Sequence, residues 1–500
     1  MAPESRFRFH RWWWPLLLAL AVLCGGCKKQ DEANNGITGR VSVPDGDLSG
    51  VTVELYSPPV STTDAWAGSA AHPEVGFLYD LPAAWDYRRQ ATRLRASFTT
   101  GADGAFEFPD LADGDYILSA RKAGYGWSVP RAASVHGQSV DAGTLALAEV
   151  ETLPYSAVLS GDNRWLAGRH YVVQSRLTVA AGATLTIEPG AVVRLPFATW
   201  INVLGTLVAE GEPGRFIQFT SNEDLPSAGD WLHILFDVSA TPLRFHYCAF
   251  LYGDDAIRTQ RRPGGRIEYC YFSSFLAQGV SLLGNADAEM DSIIFRRNVT
   301  NDVPVVLQVS NVPAGRPLLI ERNAIAGSSK WGLDIENVSA GAVHCNWFYD
   351  CGVTGVSAVT SALHIVDARN LEVDHNEFHS SVYGIDLGSH VDSSVHIRNN
   401  YFRLISCVLY VGYTPQHLAP SFPHFNYNCI QSATEYYVYM GACLVNIKPI
   451  DATNNYWDGH SGNALGQLLY DHDDDPLCPY ITVGTILPTC NRTEAALCGM

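Results

Sequence analysis

The sequence predicts an all-β protein in two parts: a small β-sandwich, then a long β-helical solenoid. Three observations carry this. Residues 37–149 break into short alternating runs such as ITGRVSV, GVTVELYSP and GDYILSARKAGY, parted by Gly and Asp turns, which is the pattern of a sandwich. Residues 177–195, LTVAAGATLTIEPGAVVRL, alternate apolar and polar side chains at period two, as half-buried strands do. After that an Asn or Cys keeps standing two residues before a bulky side chain, as in VHCNWF, EVDHNEF, VHIRNNYF, HFNYNCI and DATNNYWDG.

The chain opens on an address. Arg6, Arg8, His10 and Arg11 precede an apolar run, Trp12–Leu23, too short for a comfortable membrane span. The run ends in LCGGC, and Gly25-Gly26-Cys27 resembles the lipobox of bacterial lipoproteins. The resemblance implies cleavage before Cys27 and a lipid on its sulfur, so that acyl chains hold the protein to a membrane. Lys28 and Lys29 follow with no Asp after the Cys, which in that family implies the outer membrane. The expected organisation is a signal peptide with lipidated Cys over 1–27, a tether over 28–36, the sandwich over 37–149, the solenoid with its cap over 153–490 and a tail over 491–500.

Gly39, Gly50-Val51-Thr52-Val53, Gly101-Ala102-Asp103-Gly104 before Phe106, and Gly114-Asp115-Tyr116 give the first part an order that resembles the carboxypeptidase regulatory-like (transthyretin-like) domain. That family's domain is a non-catalytic spacer or interaction module. An insert, roughly Pro58–Leu94, interrupts it. Asp103 and Asp115 are expected to shape turns by capping their own backbone.

In the second part Gly182, Leu185, Ile187 and Gly190 are followed by Gly205-Thr206-Leu207, Ala209 and Gly211. Phe219-Thr220-Ser221 and Gly229-Asp230-Trp231 come next. The order and spacing resemble the opening coils of bacterial right-handed parallel β-helix (pectin lyase-like) proteins, with Leu232-His233 where that family has Gly. Taking Cys248, Cys270, Asn323, Asn346, Asn376, Asn400, Asn428 and Asn455 as anchors, with a weaker copy near Ile294, the period is about 22–30 residues and variable. A β-helix accepts such variation, because loops between its three strands per coil absorb insertions. Coils stack at the inter-strand spacing, so equivalent residues lie above one another. The Asn is therefore expected to occupy a left-handed turn and to bond its neighbours in a ladder. Phe250, Phe272, Ile325, Phe348, Phe378, Phe402, Ile430 and Trp457 should point inward. Cys248 and Cys270, in adjacent coils, are expected to form a disulfide. About 12 coils over 176–490 would make a rod of about 55–60 Å. The sandwich and Leu153–Arg176 should cover its first coil. NNYWDGHSGNALGQLLYDHDDDP resembles the closing cap of β-helix lipoproteins, with Asp458 at the usual Gly.

The formal net charge is −18, which argues against nucleic acid, since phosphate binding needs a basic stripe. Of the twelve cysteines, the ten beyond Cys24 and Cys27 include no CxxC pair, which suits disulfides in an exported chain more than a zinc knuckle. Ten or eleven residues after each anchor a side chain should face outward between apolar neighbours: Arg258, Ser281, Asp334, Ser357, Asp386 and Tyr410, with Tyr383, Tyr436 and Tyr437 near them. Aromatic faces and carboxylates in one stripe suit a sugar polymer. For catalysis the candidates are Arg258, Asp334 and Asp386. The two acids fall two coils apart, about 10 Å, marginal for a hydrolase pair. Gly-His-Gly and Arg-Ile-Lys, the polygalacturonase-type signature, are absent. A lyase site would draw on Asp254, Asp255, Arg258, Arg261 and Arg262. Asp471, Asp473, Asp474 and Asp475 are the candidates for calcium, the one cofactor considered, without EF-hand spacing. Histidines 364, 375, 379, 390 and 396 are not on a helix and imply no zinc motif. The reading is a lipid-anchored, non-catalytic binding protein. The alternatives are a polysaccharide lyase or hydrolase and a ligand-free spacer.

Overall fold

A computed structural model describes residues 35–58, 75–76, 86–237, 239–260, 264–284, 292–316, 318–352, 360–412, 421–441 and 449–490. The protein is nearly all β. Two sheets form the first part: Ile37–Ser42 pairs with Ala105–Phe108 and Val140–Ala146, and Thr52–Tyr56 lies between Leu94–Thr99 and Gly114–Arg121, with Arg131–Val135 beyond. Ile37, Val41, Phe106 and Leu145 from one sheet and Val53, Leu55, Leu118 and Val135 from the other share one buried core. This is the expected sandwich.

The second part is a parallel solenoid of three sheets. Sheet I runs from Val150–Leu153 to Tyr456–Trp457 and sheet II from Ala157–Leu159 to Leu469–Tyr470, each with 13 strands. Sheet III has 11, from Asp162–Trp165 to His424–Asn426. Thirteen strands at ~4.8 Å give a rod of about 58 Å. One expectation is corrected here. The segment forecast as a cover, Leu153–Arg176, belongs to the first coils themselves, because Val150–Leu153 already pairs in register with His170–Val173.

The anchor residues explain the repeat, with a second correction. The left-handed residue is the one before the anchor: Tyr247, Tyr269, Arg297, Arg322, Cys345, His375, Asn399, Tyr427 and Asn454 all have φ between 45° and 59°. The anchor Asn is fully buried instead. Its amide bonds the next, from Asn298 to Asn323 (3.1 Å), Asn346 (2.8 Å), Asn376 (3.0 Å), Asn400 (3.0 Å) and Asn428 (3.1 Å). A buried amide must satisfy its donors and acceptor. The stack does so for its inner members, and backbone groups do so at the ends, where Cys270 N donates to Asn298 Oδ1 and Asn455 Nδ2 donates to the carbonyls of Phe425 and Ala452. Two residues on, Phe348, Phe378 and Phe402 stack face to face at 4.8 Å, and Phe219, Phe250 and Phe272 at 5.0 and 4.9 Å.

Cys248 and Cys270 are stacked neighbours but are free thiols, not the forecast disulfide. Cys248 Sγ donates to the carbonyl of Ala209 in the preceding coil (3.3 Å) and Cys270 Sγ to that of Glu268 (3.3 Å), so each thiol has a carbonyl acceptor. One disulfide, Cys429–Cys490, ties a late coil to the end of the cap, and Cys345 and Cys478 are each in a disulfide as well.

The sandwich packs on the outer face of sheet I. Trp127 sits edge-on to His170 at 4.7 Å, and Gly126 permits it, since a Cβ there would lie 2.5 Å from the His170 ring. From the insert, Arg88 is held by both oxygens of Asp86 and donates to the carbonyls of Ser221 and Glu223, each at 2.8 Å. Val75 joins the buried patch of Phe216, Tyr252, Tyr271 and Trp347 on the same face.

Candidate functional site on the outer face of sheet II

The coil length varies most at the two corners that flank sheet II. From Leu243–His246 to His424–Asn426 the chain spends one or two residues between sheet III and sheet I, where from Asn298 on the Asn ladder fixes the register; the three earlier coils spend four to six. Between sheets II and III the gap ranges from Val338–Gly341 to Val411–His424. Between sheets I and II the gap varies as widely, from Arg403–Ile405 to Ser221–Ile234, so longer loops leave from both margins of sheet II.

Along the middle of sheet II one side chain per coil faces outward in unbroken register: Arg258, Ser281, Gln308, Asp334, His364, Asp386, Tyr410, Tyr439 and Tyr470. Five of the six residues in the forecast stripe stand in this column. Ser357 lies outside the described residues, and the position assigned to it belongs to His364. The cause is an insertion between Trp347–Tyr349 and Ser361–Val366, which displaced the count from the anchor. Gln308 and Tyr439 were reachable by counting ten or eleven residues from Asn298 and Asn428.

His364 changes the chemistry of the stripe. Its Nδ1 is 2.8 Å from Asp334 Oδ1 and its Nε2 is 3.4 Å from Asp386 Oδ2. Asp334 Oδ2 accepts from Gln308 Nε2 (2.8 Å), and Gln308 Oε1 accepts from Gln278 Nε2 (2.9 Å). Both carboxylates are buried. Burial pushes the Asp386 carboxyl up to about 6, with His364 opposing and Asp334 adding to the rise. Burial works against a charged His364, but the bond to Asp334 and the charges of Asp386, Asp334 and Glu336 outweigh it and raise its pKa. The Trp331 indole stacks on the imidazole at 4.7 Å, with Lys330 Nζ 3.8 Å from the indole.

Beyond Asp386 the column turns aromatic. Tyr410 and Tyr439 stack at 5.8 Å, Tyr439 and Tyr470 at 4.6 Å, and Tyr383 and Tyr436 lean in at 5.0 Å. Gly412 leaves room for this, since a Cβ there would come within 2.7 Å of the Tyr410 ring. Tyr437 does not join the row, being buried with its hydroxyl 2.9 Å from His460. It follows the core side of strand alternation.

The other candidates fall elsewhere. Arg258 reaches Asp255 at 3.6 Å, and burial, then Asp254, push the Asp255 carboxyl up to about 6. Arg261 and Arg262 lie outside the described residues, as does Cys27. His375 precedes an anchor Asn, His379 is on sheet I, His396 on sheet III and His390 in a loop, so the sequence cluster is dispersed in space. Asp471, forecast with Asp473, Asp474 and Asp475 for calcium, spends both oxygens on backbone N–H groups of Asp473 and Ile481. Asp474 and Asp475 accept from Asp471 and Leu477. These are turn-shaping bonds. Asp458 has φ 49°, a left-handed conformation that Gly adopts most readily.

A family model described as right handed beta helix region matches residues 233–402, the stretch that holds most of the Asn ladder and most of the polar column. The solenoid is thus a right-handed β-helix. No curated protein matched the sequence. A β-helix of this kind is consistent with a carbohydrate-related or surface protein.

Proposed function

We propose that the protein is an envelope lipoprotein whose sheet II face binds an extended glycan without cleaving it. The observation that carries this is the single column in which Asp334, His364 and Asp386 run directly into Tyr410, Tyr439 and Tyr470. The stacked rings offer a continuous aromatic edge with phenol hydroxyls, and the acid–imidazole group offers fixed acceptors, repeated at the coil spacing. With two carboxylates and Glu336 in that field, a neutral polymer suits the face better than an acidic one. The Cys27 lipobox supports anchoring at the outer membrane, and the sandwich, with its carboxypeptidase regulatory-like order, acts as the spacer between lipid and solenoid.

Catalysis is less well supported. The imidazole fills the space between Asp334 and Asp386 that a sugar and a water would need in a hydrolase. The test is incubation of residues 28–500, without lipid, with neutral and acidic polysaccharides, with and without calcium, followed by size exclusion. A neutral polymer should co-elute with the protein at unchanged length. Tyr410→Ala with Tyr439→Ala should weaken that binding roughly tenfold, as loss of two rings from the aromatic edge implies. Shortening of any polymer would overturn the non-catalytic reading and direct attention to Arg258, Asp334 and Asp386. No co-elution across the panel would leave a ligand-free spacer.

A further inference from the structure

A crevice of about 500 Å³ lies between the sandwich and the first coils. Six of its residues matter here: Tyr87, Arg121, Lys122, Trp127, Arg194 and Asp224. We infer that this crevice binds an oxyanion carried on a small ring, such as a carboxylated or phosphorylated sugar, with Arg194 as its principal contact. The inference goes beyond the glycan face and does not depend on it.

The argument begins with two arginines on one indole. Arg88 and Arg194 place their guanidinium carbons 4.8 and 4.9 Å from the Trp127 ring. Arg88 is fully engaged by Asp86, Thr220 and two carbonyls. Arg194 is not. Among the described residues no carboxylate pairs with it, and its Nε is buried without an acceptor. Asp224 is close enough to be felt but makes no ion pair with it. Burial, and then the charge of Arg88, hold the Arg194 pKa below its ordinary value.

Such a group is costly in a fold unless something completes it. The shortage is not one of acids, since the chain carries 51 against 33 basic residues. Arg121 and Lys122 are already paired with Glu54 and Asp47, each at 2.8 Å. They add positive field, and Arg194 retains free donors. A guanidinium takes carboxylate or phosphate in a two-bond fork. The Tyr87 and Trp127 rings give the rest of a sugar an apolar wall.

The experiment is calorimetric titration of residues 28–500 at low salt with glucuronate, inorganic phosphate and glucose, repeated on Arg194→Met. Glucuronate or phosphate should saturate, and glucose should not. Arg194→Met should weaken the binding by roughly tenfold or more. Without ligand, the Tm of Arg194→Met should equal or exceed that of the natural chain, because an uncompensated charge is gone while the stem still packs on Trp127. Binding of glucuronate alone would assign a carboxylated sugar, and binding of phosphate alone a phosphoryl group. No saturable binding of either anion would overturn the inference. So would equal binding by Arg194→Met, or a lower Tm with no binding, which would make Arg194 a structural stacking residue.

Discussion

Asn376→Leu is expected to destabilise the solenoid by about 3–5 kcal/mol in urea titrations, the cost of two or three buried polar groups left unpaired. Asn376 Oδ1 accepts from the backbone N and the side-chain Nδ2 of Asn346, both at 3.0 Å. Its Nδ2 donates to Val343 O at 2.8 Å and to Asn400 Oδ1 at 3.0 Å. Every Asn in this part of the ladder is fully buried, so no water replaces a lost partner. Leu leaves the Asn346 N–H and the Val343 carbonyl orphaned. Asn376→Asp keeps the shape but offers only acceptors where two donors are needed. Its penalty should be smallest below pH 4 and grow as pH rises, because a buried carboxyl has a folded pKa above its unfolded value and is held protonated. If either variant unfolds within 1 kcal/mol of the natural chain, the ladder is not what holds the coils in register.

The parts legible in the sequence were those that repeat. Period-two alternation around Leu185 and Ile187, and the Asn-x-aromatic recurrence at Asn346, Asn376 and Asn400, located the strands and the core. They did so because stacking makes each coil a near copy of the last. The left-handed residue was placed one position late. Tyr247, Arg297 and Cys345 carry positive φ although none is a residue type that favours it, so the signal was visible only as position. The thiols of Cys248 and Cys270 meet the distance condition for a bridge and still find carbonyl partners, and sequence does not distinguish the two outcomes. In the candidate site, Asp334 and Asp386 were legible from alternation. His364 between them was not, because the chain reaches it only after an insertion. Arg194 and Trp127 meet across about 70 residues of chain through domain packing, which no local pattern encodes.

His364 carries the second large effect. His364→Gln should cost about 3 kcal/mol at pH 6, the lower end of the range for removing one partner of a buried ion pair, because Asp334 and Asp386 then face each other two coils apart without a cation. The sign with pH follows from the raised His364 pKa. A histidine whose folded pKa lies above its unfolded value of about 6.5 contributes its full stabilisation below pH 6.5, and loses it as pH rises through the folded pKa. The coupling between His364 and Asp334, measured by a double-mutant cycle with His364→Gln and Asp334→Asn, should therefore be larger at pH 6 than at pH 9. Trp331 supplies an independent reading, since its ring stacks on the imidazole at 4.7 Å. Its fluorescence should titrate above pH 6.5 in the natural chain and not in His364→Gln, with Trp331→Phe identifying the signal among the twelve tryptophans. A coupling that rises from pH 6 to pH 9 would mean that the imidazole is neutral between the two acids. The acid–imidazole group would then hold a proton on Asp386 instead, and the face would present a hydrogen-bond donor where a carboxylate is now assigned.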